Sequence, residues 1–156
     1  MRLVPMSPST FDAFVERLTG EYADDKVRSG NWPEEDALER SRTQIAKLLP
    51  QGVETENQAL FELASDDEDD AVGALWLAVI DDAGTRKGFI YDLWIRPDVR
   101  RRGLGRQAMR EAEAWARAQG LEALSLHVFG ENSAALSLYQ NSGYRITNIN
   151  MTKTLT

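Results

Sequence analysis

The run Leu93, Trp94, Ile95, Arg96, Pro97, Asp98, Val99, Arg100, Arg101, Arg102, Gly103, Leu104, Gly105, Arg106 leads from an apolar strand pattern into a helical one through arginines and glycines. From Arg96 to Arg110 six arginines meet one aspartate, a local +5 on a chain whose formal charge is -7. Such a local inversion of sign suggests a bound anion. The N–H groups of a helix's first turn have no intrahelical partner and lie at the positive end of the dipole, and glycines let a phosphate reach the backbone without a Cβ in the way. A pyrophosphate is the natural guest. A solvated cap of arginines and tight helix–strand packing at Gly103 and Gly105 account for the same residues without a ligand. No Gly-Lys-Ser/Thr follows, as a P-loop requires, and the three-glycine dinucleotide fingerprint is absent.

A second constellation is Asn132, Ser133, Ala134, Ala135, Leu136, Ser137, Leu138, Tyr139, followed by Ser142, Gly143 and Tyr144. Asn132 is a good helix N-cap. Seven residues, close to two turns, put it on nearly the same face as Tyr139. A tyrosine there is either a core side chain with a satisfied hydroxyl or a proton donor; Tyr144 reads as core. The chain has no cysteine and one histidine, His127. Disulfides, thiolate zinc sites, a Cys nucleophile and an intrachain His-based metal cluster are therefore excluded, and no metal site is expected. His127 shares a strand face with Ser125 and Phe129 and is expected to be buried, with a water-relay role as the alternative.

The elements that must position these residues follow from periodicity. After a short strand, Leu3 to Met6, the spacing of Phe11, Phe14, Val15, Leu18 and Tyr22 predicts an amphipathic helix. Pro33 to Asp36 open a second one with Leu38, Ile45, Leu48 and Leu49 as its apolar positions. Gln58 to Ala64 and Val72 to Ile80 read as strands around an acidic turn, Asp66 to Asp70, taken as a solvated loop. Asp81 to Gly88 reads as a further turn, and Phe89 to Ile95 as a strand with Phe89, Tyr91, Leu93 and Ile95 on one face. Leu104, Ala108, Ala112 and Ala116 mark a helix ended by Gly120. Leu124, Leu126 and Val128 alternate as a strand, Asn132 to Ser142 is a short helix, and Tyr144 to Leu155 is a final strand-like tail. This order predicts one mixed α/β domain over residues 1–156.

Composition agrees with that reading. At 156 residues, 42% hydrophobic and 28% charged, the chain is one domain's worth of a packed globule. Its longest apolar run, Ala71 to Ile80, is far short of a membrane span. The first residues do not read as a signal peptide, and a cytoplasmic location with no membrane partner is expected.

The segment Arg100, Arg101, Arg102, Gly103, Leu104, Gly105 resembles the Arg/Gln-x-x-Gly-x-Gly/Ala signature of the GNAT-type N-acetyltransferases. The preceding strand, the Pro97 turn, the following helix and the Asn132 to Gly143 segment are similar to that family in the same order. The resemblance implies a mostly antiparallel sheet split in a V and flanked by about four helices, with acetyl-CoA as co-substrate in the gap. It implies that pantetheine pairs with backbone around Leu93, Trp94 and Ile95, that the N–H groups of Arg101, Arg102, Gly103, Leu104, Gly105 and Arg106 hold the pyrophosphate beside Arg100, and that Asn132 touches the pantetheine arm. One backbone N–H of the Phe89 to Ile95 strand would polarise the thioester carbonyl, and Tyr139, beside the sulfur, would protonate the leaving thiolate.

An ammonium has no lone pair, so a base must take a proton from the acceptor. Asp92 is the best-placed acid and, unless a bulge changes the alternation, points opposite Tyr91 and Leu93. Some amine-acetylating relatives carry two adjacent acids here, and Tyr91 stands where the first would be. A hydrogen-bonded structural Asp92 is therefore an equal alternative. In the family the first two helices wall the acceptor pocket, here with Tyr22, Asp24, Asp25, Trp32, Glu34 and Glu35. Carboxylates and aromatics together favour a cationic amine, small-molecule or peptide, whereas an exposed acidic loop with a helix-starting Glu34 and Glu35 explains the same residues without function and is the favoured reading. The implied function is N-acetyl transfer to a primary amine by direct attack in a ternary complex. The alternative is a CoA-binding regulatory or interaction module without turnover, motivated by Tyr91. A nucleic-acid partner is not expected, since the net charge is -7 and no broad basic face exists. The terminal strand, Arg145 to Leu155, can pair with or swap into a second copy, which makes a homodimer the expected assembly.

Overall fold

Each strand pairs with the strand before it in the chain. In the computed structural model, which describes residues 1–156, β1 (Arg2–Pro5), β2 (Gln58–Ala64), β3 (Gly73–Asp82), β4 (Thr85–Ile95) and β5 (Leu124–Leu126) form one sheet in that order. The pairs are antiparallel except β4 with β5, which are parallel. A parallel pair needs a long crossover, and α3 (Leu104–Ala118) supplies it. Helices α1 (Pro8–Arg28) and α2 (Ala37–Leu48) lie between β1 and β2, and α4 (Ser133–Asn141) follows β5.

The helices cover both faces of the sheet. On one face Leu63, Leu75, Leu77 and Ile90 pack with Val99, Leu104, Ala108, Met109 and Ala112 of α3 and its approach. On the other, Leu60, Ala74 and Trp76 pack with Phe14 and Leu18 of α1, Ile45 of α2, Met6 and Leu49. Central β3 is consequently buried from Gly73 to Ala78 and reads as a continuous apolar run. The helical spacing of Phe14 and Leu18 is therefore the core face of α1. In α2 the buried positions are Ala37, Ser41 and Ile45, whereas Leu38 is exposed. The Ser41 hydroxyl donates to the Thr19 carbonyl at 2.8 Å and ties the two helices through a buried polar bond.

The structure departs from the sequence expectations at four places in this frame. The turn expected over Asp81 to Gly88 shrinks to Ala83 and Gly84, both at positive φ (52° and 84°), and the strands run up to it on both sides. That is the conformation a two-residue hairpin needs. The acidic loop is not wholly solvated: Glu68 docks on Arg96 and Arg102. Between β3 and β4 the register shifts at Trp76 and Leu77 of β3, which pair with Asp92 and Ile90 and leave Tyr91 of β4 as an extra residue. This β-bulge breaks the alternation. Phe89 and Tyr91 stay together, Tyr91 stacking on Trp76 at 4.5 Å, but Leu93 and Ile95 pack on the α3 face. Finally, Tyr144 to Leu155 pairs with nothing, so the expected last strand is absent from this sheet.

Gly73 sits opposite Ile95 at the end of β3, and a Cβ placed there would run into the Trp94 carbonyl. Gly73→Ala should therefore destabilise the protein by about 2–3 kcal/mol, because backbone must move to make room. A melt should show Tm lower by roughly 5–10 °C, and an unchanged Tm would contradict the close approach.

Candidate active site

The sheet opens where β4 and β5 part. Their pairing covers Gly88 with Leu124, Phe89 with Ser125 and Ile90 with Leu126, and stops there. The bulge at Tyr91 begins at the next residue of β4. A bulged strand bends and twists more strongly, so β4 continues to Ile95 while the chain beyond β5 heads elsewhere. The edge of β4 from Tyr91 to Ile95 is left without a strand on that side, a V-shaped gap with backbone donors and acceptors along one wall.

At the end of that wall the chain turns through Pro97–Val99 into α3. Arg100 Nε donates to the Ile95 carbonyl at 2.8 Å, which pins the turn against the strand end. Arg101 and Gly103 adopt positive φ (63° and 76°), and Gly103 caps α3 without a side chain. The first helical bond runs from Gln107 N–H to the Gly103 carbonyl, so the amides of Leu104, Gly105 and Arg106 find no acceptor in the chain. Such an array, at the positive end of a 15-residue helix, can take a polyanion.

The arginines divide into two groups. Arg96 bonds Asp98 at 2.6 Å, Glu68 at 3.3 Å and the Ala71 carbonyl at 3.0 Å, and Arg102 bonds Glu68 at 2.6 Å. The Arg102 hydrogen bond, with help from Arg96, holds the Glu68 carboxyl below its usual range. These two side chains brace the turn. Arg106 and Arg110 line a groove between α3 and α4 with Met109, Glu113, Asn141 and Ser142. Leu104 is buried in the core, and a Cβ on Gly105 would come within 3.2 Å of Leu138, so this glycine lets α4 close onto the α3 N-terminus.

Helix α4 closes the gap from the other side. The Asn132 side-chain oxygen accepts from the Ala135 amide at 3.1 Å, as an N-cap should, and leaves the amide NH2 free. Tyr139 is partly buried against the α3-side core, 6.2 Å ring to ring from Tyr144. Burial, and then the charge of Asp92, raise its hydroxyl above the usual tyrosine value. The structure thus brings Tyr139 and Asp92 to one end of the gap.

Asp92 does not point away from Tyr91. The bulge turns it to the α1 face, opposite Trp76, where Arg17 Nη2 meets Asp92 Oδ2 at 2.7 Å. Both side chains are nearly buried, at 16% and 11% exposure. The guanidinium also lies 4.5 Å from the Trp94 ring centroid and bonds Glu21 at 2.8 Å. Burial raises the Asp92 carboxyl, and Arg17 opposes the rise. Arg17 escaped the sequence reading because its neighbours Phe14 and Leu18 carry the apolar stripe. Its signal was a basic residue at the edge of that stripe with Glu21 one turn on.

Beyond Asp92 an aromatic corner forms where α1 meets the segment after β5. Tyr22 lies 5.5 Å from Trp32 and 6.5 Å from Phe129, which is itself 4.9 Å from His127. Lys26 sits over both the Tyr22 and Trp32 rings at 5.5 and 5.3 Å, so the cation these rings attract is one of the chain's own. Asp24, Glu34 and Glu35 are exposed, and burial raises the Asp25 carboxyl. His127, expected to be buried, lies just beyond the end of β5 and is exposed. Partial desolvation and the Lys26 charge lower its pKa.

Known proteins resemble this chain in sequence and fold. A Bacillus subtilis protein named N-acetyltransferase YycN, itself uncharacterized, is 36% identical over 153 residues, covering 98% of this chain and 97% of that protein. A second Bacillus subtilis protein of the same description, YdgE, is 33% identical over the same shares of both chains. The crystal structure of YycN superposes with a TM-score of 0.94 at 35% identity, covering 99% of this chain and 98% of that one. The sequence pattern of the acetyltransferase (GNAT) family matches residues 15–144. With its split sheet, its signature turn and near full-length relatives, the chain belongs to the GNAT family of acetyltransferases.

Proposed function

We propose that the chain is an acetyl-CoA dependent N-acetyltransferase in which a primary amine attacks the thioester directly within a ternary complex. The observation that carries this reading is the unpaired edge of β4, which runs from the bulge at Tyr91 straight to the unpaired amides at the start of α3. A strand-like arm ending in a pyrophosphate matches that shape and polarity. Leu93, Trp94 and Ile95 offer it backbone bonds, the amides from Arg101 to Arg106 hold its phosphates beside Arg100, and the free NH2 of Asn132 faces it from α4. Bound there, acetyl-CoA supplies an activated acetyl group.

The residues of the chain then handle charge and protons. A backbone N–H freed by the bulge polarises the acetyl carbonyl, which favours attack by the amine nitrogen. As the C–N bond forms and the C–S bond breaks, Tyr139 gives its proton to the departing thiolate. Asp92 Oδ2 is committed to Arg17, and Oδ1 accepts the amine's proton through a water. No covalent enzyme intermediate is involved, and no cysteine exists to form a thioester.

Saturating acetyl-CoA tests the reading. At 100 times its Kd a ligand adds about 2.7 kcal/mol, which for a chain of this size raises Tm by roughly 5–10 °C. A shift with acetyl-CoA and CoA, but not with ATP or NADH, is the expected result. No shift at millimolar acetyl-CoA would remove the cofactor assignment.

Tyr139→Phe should lower kcat well over tenfold while leaving the acetyl-CoA thermal shift in place. Unchanged turnover would take Tyr139 out of the mechanism.

The pH profile separates the acid from the base. Burial, and then the charge of Asp92, raise the Tyr139 hydroxyl above its ordinary value, so any alkaline loss of activity from its deprotonation is shifted upward. Asp92 must be ionised to accept a proton, so kcat should rise with pH through a carboxyl value above the ordinary 3.8. Asp92→Asn should abolish that acid limb and cost on the order of 100-fold in kcat. An acid limb that survives the substitution would assign Asp92 to structure alone.

A further inference from the structure

A cation lies at the edge of the buried face of α1. Phe14 and Leu18 carry the buried stripe of that helix, and the Arg17 side chain beside them is only 16% exposed. Four groups fix its guanidinium. Nη2 donates to Asp92 Oδ2 at 2.7 Å and Nη1 to Glu21 Oε2 at 2.8 Å, while the Trp94 and Phe14 ring centroids lie 4.5 and 5.5 Å from its central carbon. Trp94 belongs to the stretch of β4 that has no strand beside it, so one arginine touches both the candidate base and the open wall of the gap.

A purely structural strut does not account for this arrangement. A buried ion pair adds little net stability over apolar residues of similar volume, and a strut would set both nitrogens on one carboxylate, the stronger fork-to-fork form. Arg17 instead gives Asp92 one nitrogen and Glu21 the other. Asp92 Oδ1 is left without a partner in the chain, and it is not sealed off: this nearly buried carboxylate keeps a trace of solvent contact there. One oxygen is held and the other is open, which suits a group that must receive a proton.

We propose that Arg17 is a positioning residue for acetyl transfer: its guanidinium fixes one oxygen of Asp92 and so aims the other at the proton of the acceptor. This role rests on the reading of Asp92 as the base.

Charge works in the same direction. The groups that face Asp92 are Arg17 from α1 with Glu21 behind it, Trp76 from β3, Tyr91 beside it in β4, and Tyr139 from α4. Arg17 is the cation among them. Burial holds both tyrosines above the usual phenol range, so they are neutral around neutral pH. Burial also raises the Asp92 carboxyl, and the charge and hydrogen bond of Arg17 lower it. Without the guanidinium nothing opposes burial, and Asp92 keeps its proton, and is lost as a base, up to a higher pH.

The test follows the Asp92 carboxyl itself. Its NMR resonance, in chain isotope-labelled at aspartate and assigned by its loss in Asp92→Asn, is titrated in the parent chain, Arg17→Met and Arg17→Lys. The pH profile of kcat is measured in parallel with n-butylamine as acceptor under saturating acetyl-CoA. Methionine keeps an apolar stem over the rings and removes the charge, whereas lysine keeps the charge without the planar fork. In Arg17→Met the titration and the acid limb of kcat should both move to higher pH by about one unit or more, and the plateau of kcat should fall about tenfold. Arg17→Lys should restore the titration but not the plateau. The double variant Arg17→Met/Asp92→Asn removes both buried charges, so it folds even where the single change does not, and a melt checks this. Its kcat should equal that of Asp92→Asn alone, because Arg17 acts through Asp92.

A titration unmoved in Arg17→Met, a titration that moves while kcat does not, or a double variant slower than Asp92→Asn by about tenfold overturns the role of Arg17 alone. An acid limb that survives Asp92→Asn overturns the base assignment and this role with it. A parent chain that neither shifts with acetyl-CoA nor turns over n-butylamine counts against the enzyme reading, and the titration still decides whether Arg17 controls Asp92.

Discussion

The parting of β4 and β5 is the constraint on which the other features depend. A regular ladder would continue past Ile90 and Leu126 and fill the gap with interstrand bonds. One extra residue, Tyr91, prevents this, and its ring is held on Trp76 by stacking at 4.5 Å. The bulge therefore has two effects from one insertion. It frees backbone groups on the edge of β4, and it rotates Asp92 onto the face where α1 can reach it. Gly73 and Gly105 serve the same geometry from either side, the first by close approach of β3 to β4 and the second by letting α4 pack against the start of α3.

The Arg17–Asp92 pair is what makes a charged residue tolerable at that point. A carboxylate taken out of water costs several kcal/mol unless paired, and here one oxygen is bonded at 2.7 Å by a guanidinium that also lies over Trp94. Glu21 takes another nitrogen of the same arginine at 2.8 Å. The pair contributes little to net stability, because desolvation of both ions offsets their attraction. Its consequence is positional: α1 is clamped across the mouth of the bulge, and the second carboxylate oxygen is left unbonded by the chain.

Much of this fold could be read from the sequence, and the exceptions share a cause. Helix spacing at Phe14 and Leu18, the Leu104 to Ala116 repeat and the Gly120 stop are local signals, and all reappear as elements. The signature from Arg100 to Gly105 is likewise local, and it falls at the free start of α3. What could not be read are relations between distant segments. The bulge depends on how β4 meets β3, so simple alternation assigned Tyr91 and Asp92 to opposite faces. Glu68 looked like one acid in a solvated run until the loop met Arg96 and Arg102. His127 looks like a core histidine from the strand face it would share with Ser125 and Phe129, but β5 ends at Leu126 and leaves it exposed.

Charge shows the same dependence on distant contacts. Counted along the sequence, six arginines between Arg96 and Arg110 form a single basic run. In the fold Glu68 and Asp98 neutralise the side chains of Arg96 and Arg102, which become struts. Arg100 is partly committed as well, through its bond to the Ile95 carbonyl. The field that remains is narrower than the sequence suggests: the helix-end amides, Arg101, and the Arg106 and Arg110 pair on the first turns of α3. A narrow field of that kind favours a compact polyanion over an extended one, because only a few charges can be opposed at once and screening weakens attraction to those beyond about 10 Å. The acidic loop thereby shapes the basic site, by removing positive charge from its flanks and holding rigid the turn that presents its centre.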